Sequence, residues 1–588
     1  MNRVQRDIEE LQPRIDLASP RPLKVVLPIL LSGDLVQSPE HLGPAYIGAV
    51  LRNAGATVTI IEAVIGNDDA ALDAIVASRP DIVGLSITTV AVDQARQFGV
   101  RLRDALGDSV FVVAGGPVAT HLGIGLLTTP GWEFLDGLIR GEGEIPMLRL
   151  AEALHGSRNL SAVPNLSYRY GDRVQQNLMQ PGVSDLNSLP FPVRDQLRMH
   201  KGRLPYVRVS TSRGCTAFCT FCNAPHVRNR VGPPVKAWRG VSPQRVVDEV
   251  EMLVRTYGCN TFDFVDSTFE DPGGGAIGKG RIEAIANEIL ARGLKIYFNV
   301  CMQAYNWTEA DRPLLKLLWR AGLEKVCVGI ESGNEADLLR WQKRSTVEDN
   351  RRVVRLLQEV GVHVAFGFIA FHPWSTFEEI RENQAFLRAN VGHNLRRYTV
   401  RLELYPGAEV IEQLRAERML AEDFFETLNP YGYIYRDPRV YTLATCVNAM
   451  FGAEYAETCK IRDEPAVFKF ETYSVVVHDF ITRIARACPE DQASLEILHE
   501  FKAIVATAKK DMAEHNFALM SELTDLAERD LLQVKHVVRW AEPTEEFFNE
   551  RMQFIETEKI RCGLRLRRHG FDVGLIGGDA VARSRISA

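Results

Sequence analysis

The run Arg213-Gly214-Cys215-Thr216-Ala217-Phe218-Cys219-Thr220-Phe221-Cys222 places three thiols at a CxxxCxxC spacing. It follows a short β-type run, Tyr206 to Thr211, and Gly214 permits a sharp backbone turn before the first Cys. Thiolates are soft ligands that select Fe–S clusters, Cu(I) or zinc. Three thiolates on a four-iron cluster leave one iron without a protein ligand, open to a small molecule. A zinc knot completed by His226 is the other chemistry these residues allow.

The surrounding chain has 588 residues, 24% charged and 46% hydrophobic, an ordinary globular composition. Such a length predicts about three or four domains. A net charge of −6 without a basic tract argues against a protein built to grip nucleic acid. No apolar run approaches the roughly 20 residues of a membrane span. Met1 to Ser19 is polar and lacks a signal-peptide core, so a cytoplasmic location is expected. Cys259, Cys301, Cys327, Cys446, Cys459, Cys488 and Cys562 are scattered singly, and most of them read as small buried hydrophobes in a reducing compartment.

After an N-terminal extension, 1–20, strands and helices alternate over 21–150. Leu23 to Leu31 is a near-continuous apolar run, the mark of a strand buried on both faces. Helix Gly43–Ala54, strand Val58–Ile61, helix Ala70–Ala77, strand Asp81–Ile87, helix Val92–Leu106 and strand Val110–Ala114 follow. This alternation predicts a doubly wound, Rossmann-like parallel sheet, with ligands beyond the carboxyl ends of its strands. Residues 151–204, with Pro164, Pro181, Pro190 and Pro192, read as a linker. From Tyr206 to Leu404 the alternation resumes with six β/α units, a partial (β/α)6 TIM-type barrel over 205–410, where a complete barrel needs eight. In it Ser242-Pro243 reads as a capped helix start, and Arg397–Leu404 as the sixth strand.

These features resemble the cobalamin-dependent radical S-adenosylmethionine (SAM) family, whose open iron chelates the amino and carboxylate groups of SAM. The resemblance implies Cys215, Cys219 and Cys222 as ligands of a [4Fe-4S] cluster, with Phe221 beside the adenine. It implies Asp266 near the SAM amino group, where other branches carry Gly-Gly-Glu. It places Gln303 after the third barrel strand, and Glu331 and Ser332, in Gly329-Ile330-Glu331-Ser332-Gly333, facing SAM. For cobalamin it implies the loops Ser86-Ile87-Thr88-Thr89, Gly115-Gly116-Pro117 with Thr120, and Gly141-Glu142-Gly143. Leu42-Gly43-Pro44-Ala45-Tyr46 also matches, and Leu189-Pro190-Phe191-Pro192 looks like the clip before the barrel. The Asp-x-His-x-x-Gly that ligates cobalt from below in classical cobalamin mutases is absent, and neither His41 nor His121 has its spacing. The resemblance therefore implies base-off cobalamin without a protein imidazole.

In the mostly helical region 411–588, Leu498, Phe501, Val505 and Ala508 mark one amphipathic helix. Leu523, Leu526, Leu531, Val534 and Val537 mark another, and Tyr431, Tyr433 and Tyr435 alternate like a strand or a pocket edge. The region is either a substrate cover, by family analogy, or an assembly module. The expected function is methylation of an unactivated carbon of a small-molecule or natural-product precursor, fed by an electron donor such as flavodoxin or ferredoxin. Two rivals remain: a non-methylating rearrangement or oxidative cyclisation on the same cofactors, and a non-catalytic cobalamin or Fe–S sensor.

Overall fold

The computed structural model describes residues 3–31, 40–201, 204–224, 238–450, 452 and 464–571. Strands β1 (Lys24–Leu31), β2 (Thr57–Val64), β3 (Ile82–Ser86), β4 (Phe111–Gly115), β5 (Gly137–Ile139), β6 (Leu166–Tyr170) and β7 (Arg173–Gln176) form one sheet. Its order is β2-β1-β3-β4-β5-β6-β7. The first five strands pair in parallel, and β6 and β7 are added antiparallel. Every residue of β1 except Lys24 is buried. Pro28 is tolerated in this inner strand because the β1–β3 ladder is in register only at Val25 and Val26. One face packs Phe98, Leu102, Trp132, Phe134 and Leu135. The other packs Leu51, Leu148, Leu150 and Ala151.

The segment 151–204 is more than a connection, because β6 and β7 lie within it. The clip is also pinned. Val193 N–H donates to Ala45 O at 3.2 Å, and Arg194 forms a buried ion pair with Glu40 at 2.7 Å.

The chain divides into two compact units, Met1–Cys301 with Leu404–Gln413 and Glu422–Pro430, and the remainder. In the first, β8 (Val207–Val209) pairs in parallel with β11 (Thr261–Phe264), and β11 with β12 (Tyr297–Gln303). A short antiparallel pair, β9 (Ser212–Gly214) and β10 (Trp238–Gly240), lies between them in the chain. Helix Pro243–Tyr257 starts with Pro in its first turn and ends at Gly258 with φ +69°. Ser242 occupies the cap position but its side chain makes no capping bond, contrary to expectation.

In the second unit β13 (Leu323–Glu331) and β14 (His363–Phe368) pair in parallel. Helices Val347–Val360 and Phe377–Asn390 begin with capping boxes, Thr346 with Asp349 and Thr376 with Glu379. The sixth barrel strand is not formed. Leu395–Tyr398 is a 3-10 turn, and a single parallel bridge, Phe371 with Arg401, stands where the strand was expected. Tyr433 likewise makes only an isolated bridge, to Leu420. The C-terminal part is helical: Pro438–Ala449, Ala466–Ala487, Gln492–Glu528 and Val534–Arg568. Leu498, Phe501, Val505, Ala508, Leu523 and Leu526 share one long helix, and the break falls at residues 529–533, with Asp530 at φ +59°.

Candidate active site

The cysteine loop is built by carboxylates behind it. Asp266, just past β11, has no exposed side-chain surface. Its Oδ1 accepts Thr211 N–H at 2.8 Å and Ser212 N–H at 2.7 Å, and its Oδ2 accepts the Thr211 hydroxyl. Arg281 lies 4.0 Å from that oxygen and itself donates to Thr211 O at 3.1 Å and Phe269 O at 2.9 Å. Asp271 accepts Thr216 N–H and the Thr216 hydroxyl, each at 2.8 Å. Gly214 turns the chain at φ +93°. Within this frame Ala217 N–H points at Cys215 Sγ and Ala224 N–H at Cys222 Sγ, each at 3.4 Å. Thr268 Oγ1 stands 3.7 Å from Cys215 Sγ. N–H groups aimed at sulfur suit thiolates that carry charge in a metal cluster, while the Thr268 hydroxyl donates to Ser267 O at 2.8 Å. Cys219 is buried, and Cys215, Cys222 and Phe221 are half-buried. His226, the alternative zinc ligand, lies outside the described residues. Asp266 is thus corrected from a SAM contact to the bracket of the loop, since its oxygens are consumed by the chain itself. Arg281 and Asp271 were not singled out in the sequence, because nothing local marks which distant charge closes a turn.

A cavity of about 300 Å³ opens in the first unit. Leu27 of β1, Gly84, Leu85 and Ser86 of β3, Val113 to Gly116 at the end of β4, Ile139, and Gly141 to Glu144 form one side. Tyr46, Ile47 and Met147 add apolar wall. Ser210 and Val265, just past β8 and β11, and Arg213 of β9 close it on the other side. An added Cβ at Gly115 would meet nothing within 4 Å, whereas one at Gly116 would come 2.8 Å from Ile87 O. The backbone there forms a surface that a ligand can approach closely. This mostly apolar cradle beyond the strand ends, with its glycine backbone open to close approach, fits cobalamin. No His lines it among the described residues. His41 gives its backbone N–H to Gln196 Oε1 at 2.7 Å, and His121 packs on Gly407, where a Cβ would come 2.0 Å from its Nδ1.

Ser86, Gly115, Gly116, Gly141, Glu142 and Gly143 line the cavity, but Thr88, Thr89, Pro117 and Thr120 do not. Thr120 instead ties two loops together. Its hydroxyl donates to Gly116 O at 2.8 Å and accepts Gly141 N–H at 3.0 Å. Pro117 is exposed in the first turn of a short helix. Arg213 is one of the lining residues to which the motif reading gave no role, with Ser210 and Val265, although it stands two positions before Cys215.

In the second unit, Gln303 is buried at the end of β12. Glu331 ends β13 at a register shift, with φ +66°. This is left-handed backbone that a non-glycine residue occupies only under constraint. Its carboxylate lies over two glycines. A Cβ at Gly367 would come 2.9 Å from Oε2, and one at Gly329 3.1 Å from Oε1. Lys343 Nζ stands 3.5 Å away. Ser332 does not offer its hydroxyl outward. It is fully buried, lies 2.9 Å from Asp337 Oδ2 and 2.8 Å from Asn383 Oδ1, and accepts Asn334 N–H at 3.1 Å. His372 Nε2 donates to Asp337 Oδ1 at 2.8 Å, while its Nδ1 accepts Trp374 N–H at 3.3 Å. Ser332 is corrected from a SAM contact to a brace for its neighbour Glu331.

The chain matches the model of the B12 binding domain over residues 32–151 and that of the radical SAM superfamily over 209–387. It belongs to the cobalamin-dependent radical SAM enzymes, and its cofactors are a [4Fe-4S] cluster, SAM and cobalamin. It is 30% identical over 362 residues to an uncharacterized methyltransferase, PH0819, of Pyrococcus horikoshii, covering 61% of this chain and 73% of that one. It is 27% identical over 356 residues to the anaerobic magnesium-protoporphyrin IX monomethyl ester cyclase of a Synechocystis species, covering 59% and 66%. Among solved structures, OxsB with aqua-cobalamin bound, also a cobalamin-dependent SAM radical enzyme, superposes with a TM-score of 0.61 at 18% identity, over 90% of this chain and 84% of that one. Among the described residues no helix is long and apolar enough to cross a membrane.

Proposed function

We propose that the chain methylates a carbon of a small-molecule or natural-product precursor. The observation that carries this reading is the cavity, whose wall includes Arg213 of the strand leading directly into Cys215. The methyltransferase of Pyrococcus horikoshii supports it. When bound, the cluster, SAM and cobalamin supply radical generation and methyl delivery. The chain's own share is to hold, orient and keep water out. Cys215, Cys219 and Cys222 hold the cluster, and Phe221 flanks the adenine. Glu331 accepts from the ribose hydroxyls or the amino group of SAM, with Gln303 nearby in the sequence of strand ends. The glycine loops at 115–116 and 141–143, with Ser86, would hold cobalamin. An external one-electron donor of the flavodoxin or ferredoxin type serves the cluster.

The cyclase similarity favours a second reading, oxidative ring closure on the same cofactors. Anaerobic incubation of reconstituted enzyme with candidate extracts and methyl-labelled SAM separates the two. Label in a product together with S-adenosylhomocysteine supports methylation, and 5′-deoxyadenosine without labelled product supports closure. Changing Cys215, Cys219 and Cys222 together to Ala is expected to abolish bound iron and sulfide. A full cluster in that variant would overturn the ligand assignment.

A further inference from the structure

Arg213 and Arg239 are directly opposed partners in the β9–β10 pair. Like charges placed opposite each other destabilise a strand pair. The loop after β5 resolves the conflict. Glu142 accepts from Arg239 through both carboxylate oxygens and lies 3.3 Å from Arg213 Nη1. Glu144 takes Arg213 Nη2 at 2.6 Å, and the guanidinium stacks over Tyr46, 5.0 Å from the ring centre. Gly182 makes room for this arrangement, since a Cβ there would come 2.2 Å from Glu142 Oε2. Burial raises the Glu142 carboxyl, and Arg213 and Arg239 outweigh it, holding it below the ordinary carboxylate range. Both glutamates and Arg213 line the cavity.

The ion network therefore has one end in the loop that receives cobalamin and the other in backbone two residues before the first cluster thiol. We propose that Glu142, bridging Arg213 and Arg239, is a positioning residue that couples the two cofactor sites, so that a bound cluster tightens cobalamin binding and the reverse. This rests on the cofactor assignments above. The reasoning is mechanical. A cluster fixes the Arg213–Cys215 backbone, and the fixed guanidinium then presets the Gly141–Glu144 loop that cobalamin must find. Linkage makes the effect equal in both directions.

The test measures the Kd of hydroxocobalamin by equilibrium dialysis for the full chain with and without its reconstituted cluster. The expected result is about 5- to 150-fold tighter binding to the cluster-loaded wild type, the usual span of coupling between sites. Glu142→Gln should bring that ratio close to 1, whatever it does to the cluster-free affinity, since Glu142 itself lines the cavity, and Glu142→Asp should restore part of the ratio. If Glu142→Gln does not fold, Arg239→Lys, which keeps the charge but loses the two-point contact, should lower the ratio instead. A wild-type ratio of 1, or an unchanged ratio in the variant that folds, overturns the coupling alone. A wild type that binds no cobalamin in either form overturns the functional reading with it.

Discussion

Asp266 and Glu331 occupy equivalent places in the chain, each a carboxylate where a barrel strand ends, and they do opposite things. Asp266 has no exposed side-chain surface and receives two backbone N–H groups and a hydroxyl from its own fold. Glu331 keeps 13% of its side chain exposed, faces Lys343 at 3.5 Å, and sits at φ +66°. A carboxylate whose lone pairs are filled by the chain is building material. One held in strained backbone, with its oxygens laid across two glycines, has been set out for something else. The backbone around Glu331 is tied accordingly. Ile369 N–H donates to Glu331 O at 2.8 Å, and Asn350 donates to Ile330 O and Ser332 O, each at 3.1 Å.

The largest effect is expected at Asp266. Asp266→Ala takes the counter-charge from buried Arg281 and the acceptor from the two N–H groups of the Thr211–Ser212 turn, and breaking a buried ionic bracket costs about 3–5 kcal/mol. Denaturant unfolding should show that loss, and reconstituted iron and sulfide should fall with it. Wild-type stability with full iron content in this variant would place Asp266 outside the loop's support.

Glu331→Gln is expected to spare both stability and cluster content while weakening SAM binding roughly 10- to 100-fold, as for one charge-assisted hydrogen bond of about 1.5–3 kcal/mol. Calorimetric titration of SAM into the cluster-loaded protein reads this directly. Unchanged affinity would make Glu331 a brace like Asp266 and erase the contrast.

Why the two looked alike in sequence is physical. A strand end can be located from its neighbours, because β1, β3 and β4 are buried on both faces and read as unbroken apolar runs. The direction in which a polar side chain then turns depends on partners far away in the chain. Ser332 meets Asp337 five positions on and Asn383 in another helix, and neither leaves a local signal. The same limit hid β6 and β7, whose Gly171 turn and polar alternation sit among prolines that suggest a linker. It also divided one long C-terminal helix into two, because its apolar stripe continues in phase toward Leu531 and Val534. The cysteines and the glycine loops were legible because their chemistry lies in spacing, which needs no distant partner.

Glu331→Gly should be smaller still. Glycine adopts φ +66° without the penalty that a Cβ incurs, so folding should gain up to about 1 kcal/mol while SAM affinity is lost. A gain in melting temperature with loss of binding marks strain invested in a site. Equal loss of both would mean that the Glu331 carboxylate was supporting the rim after all.

The smallest effect tests the brace behind Glu331. Burial raises the Asp337 carboxyl, but His372, Ser332 and Asn383 outweigh it and hold it below its ordinary value of 3.8. A carboxylate lowered in the folded state binds fewer protons there than in the unfolded chain, so its stabilisation is complete above about pH 3.8 and disappears as pH falls through the folded value. Wild type should therefore show an acid-limb slope in unfolding free energy that Asp337→Asn lacks. The same network should reach the site: in Asp337→Asn the Ser332 brace loosens, and SAM affinity at neutral pH should fall by less than in Glu331→Gln, with the cluster intact. An identical acid slope in the variant would mean that Asp337 is not the charged member of this network, and the restraint on Glu331 would then rest on Asn350, Asn383 and the Ile369 N–H.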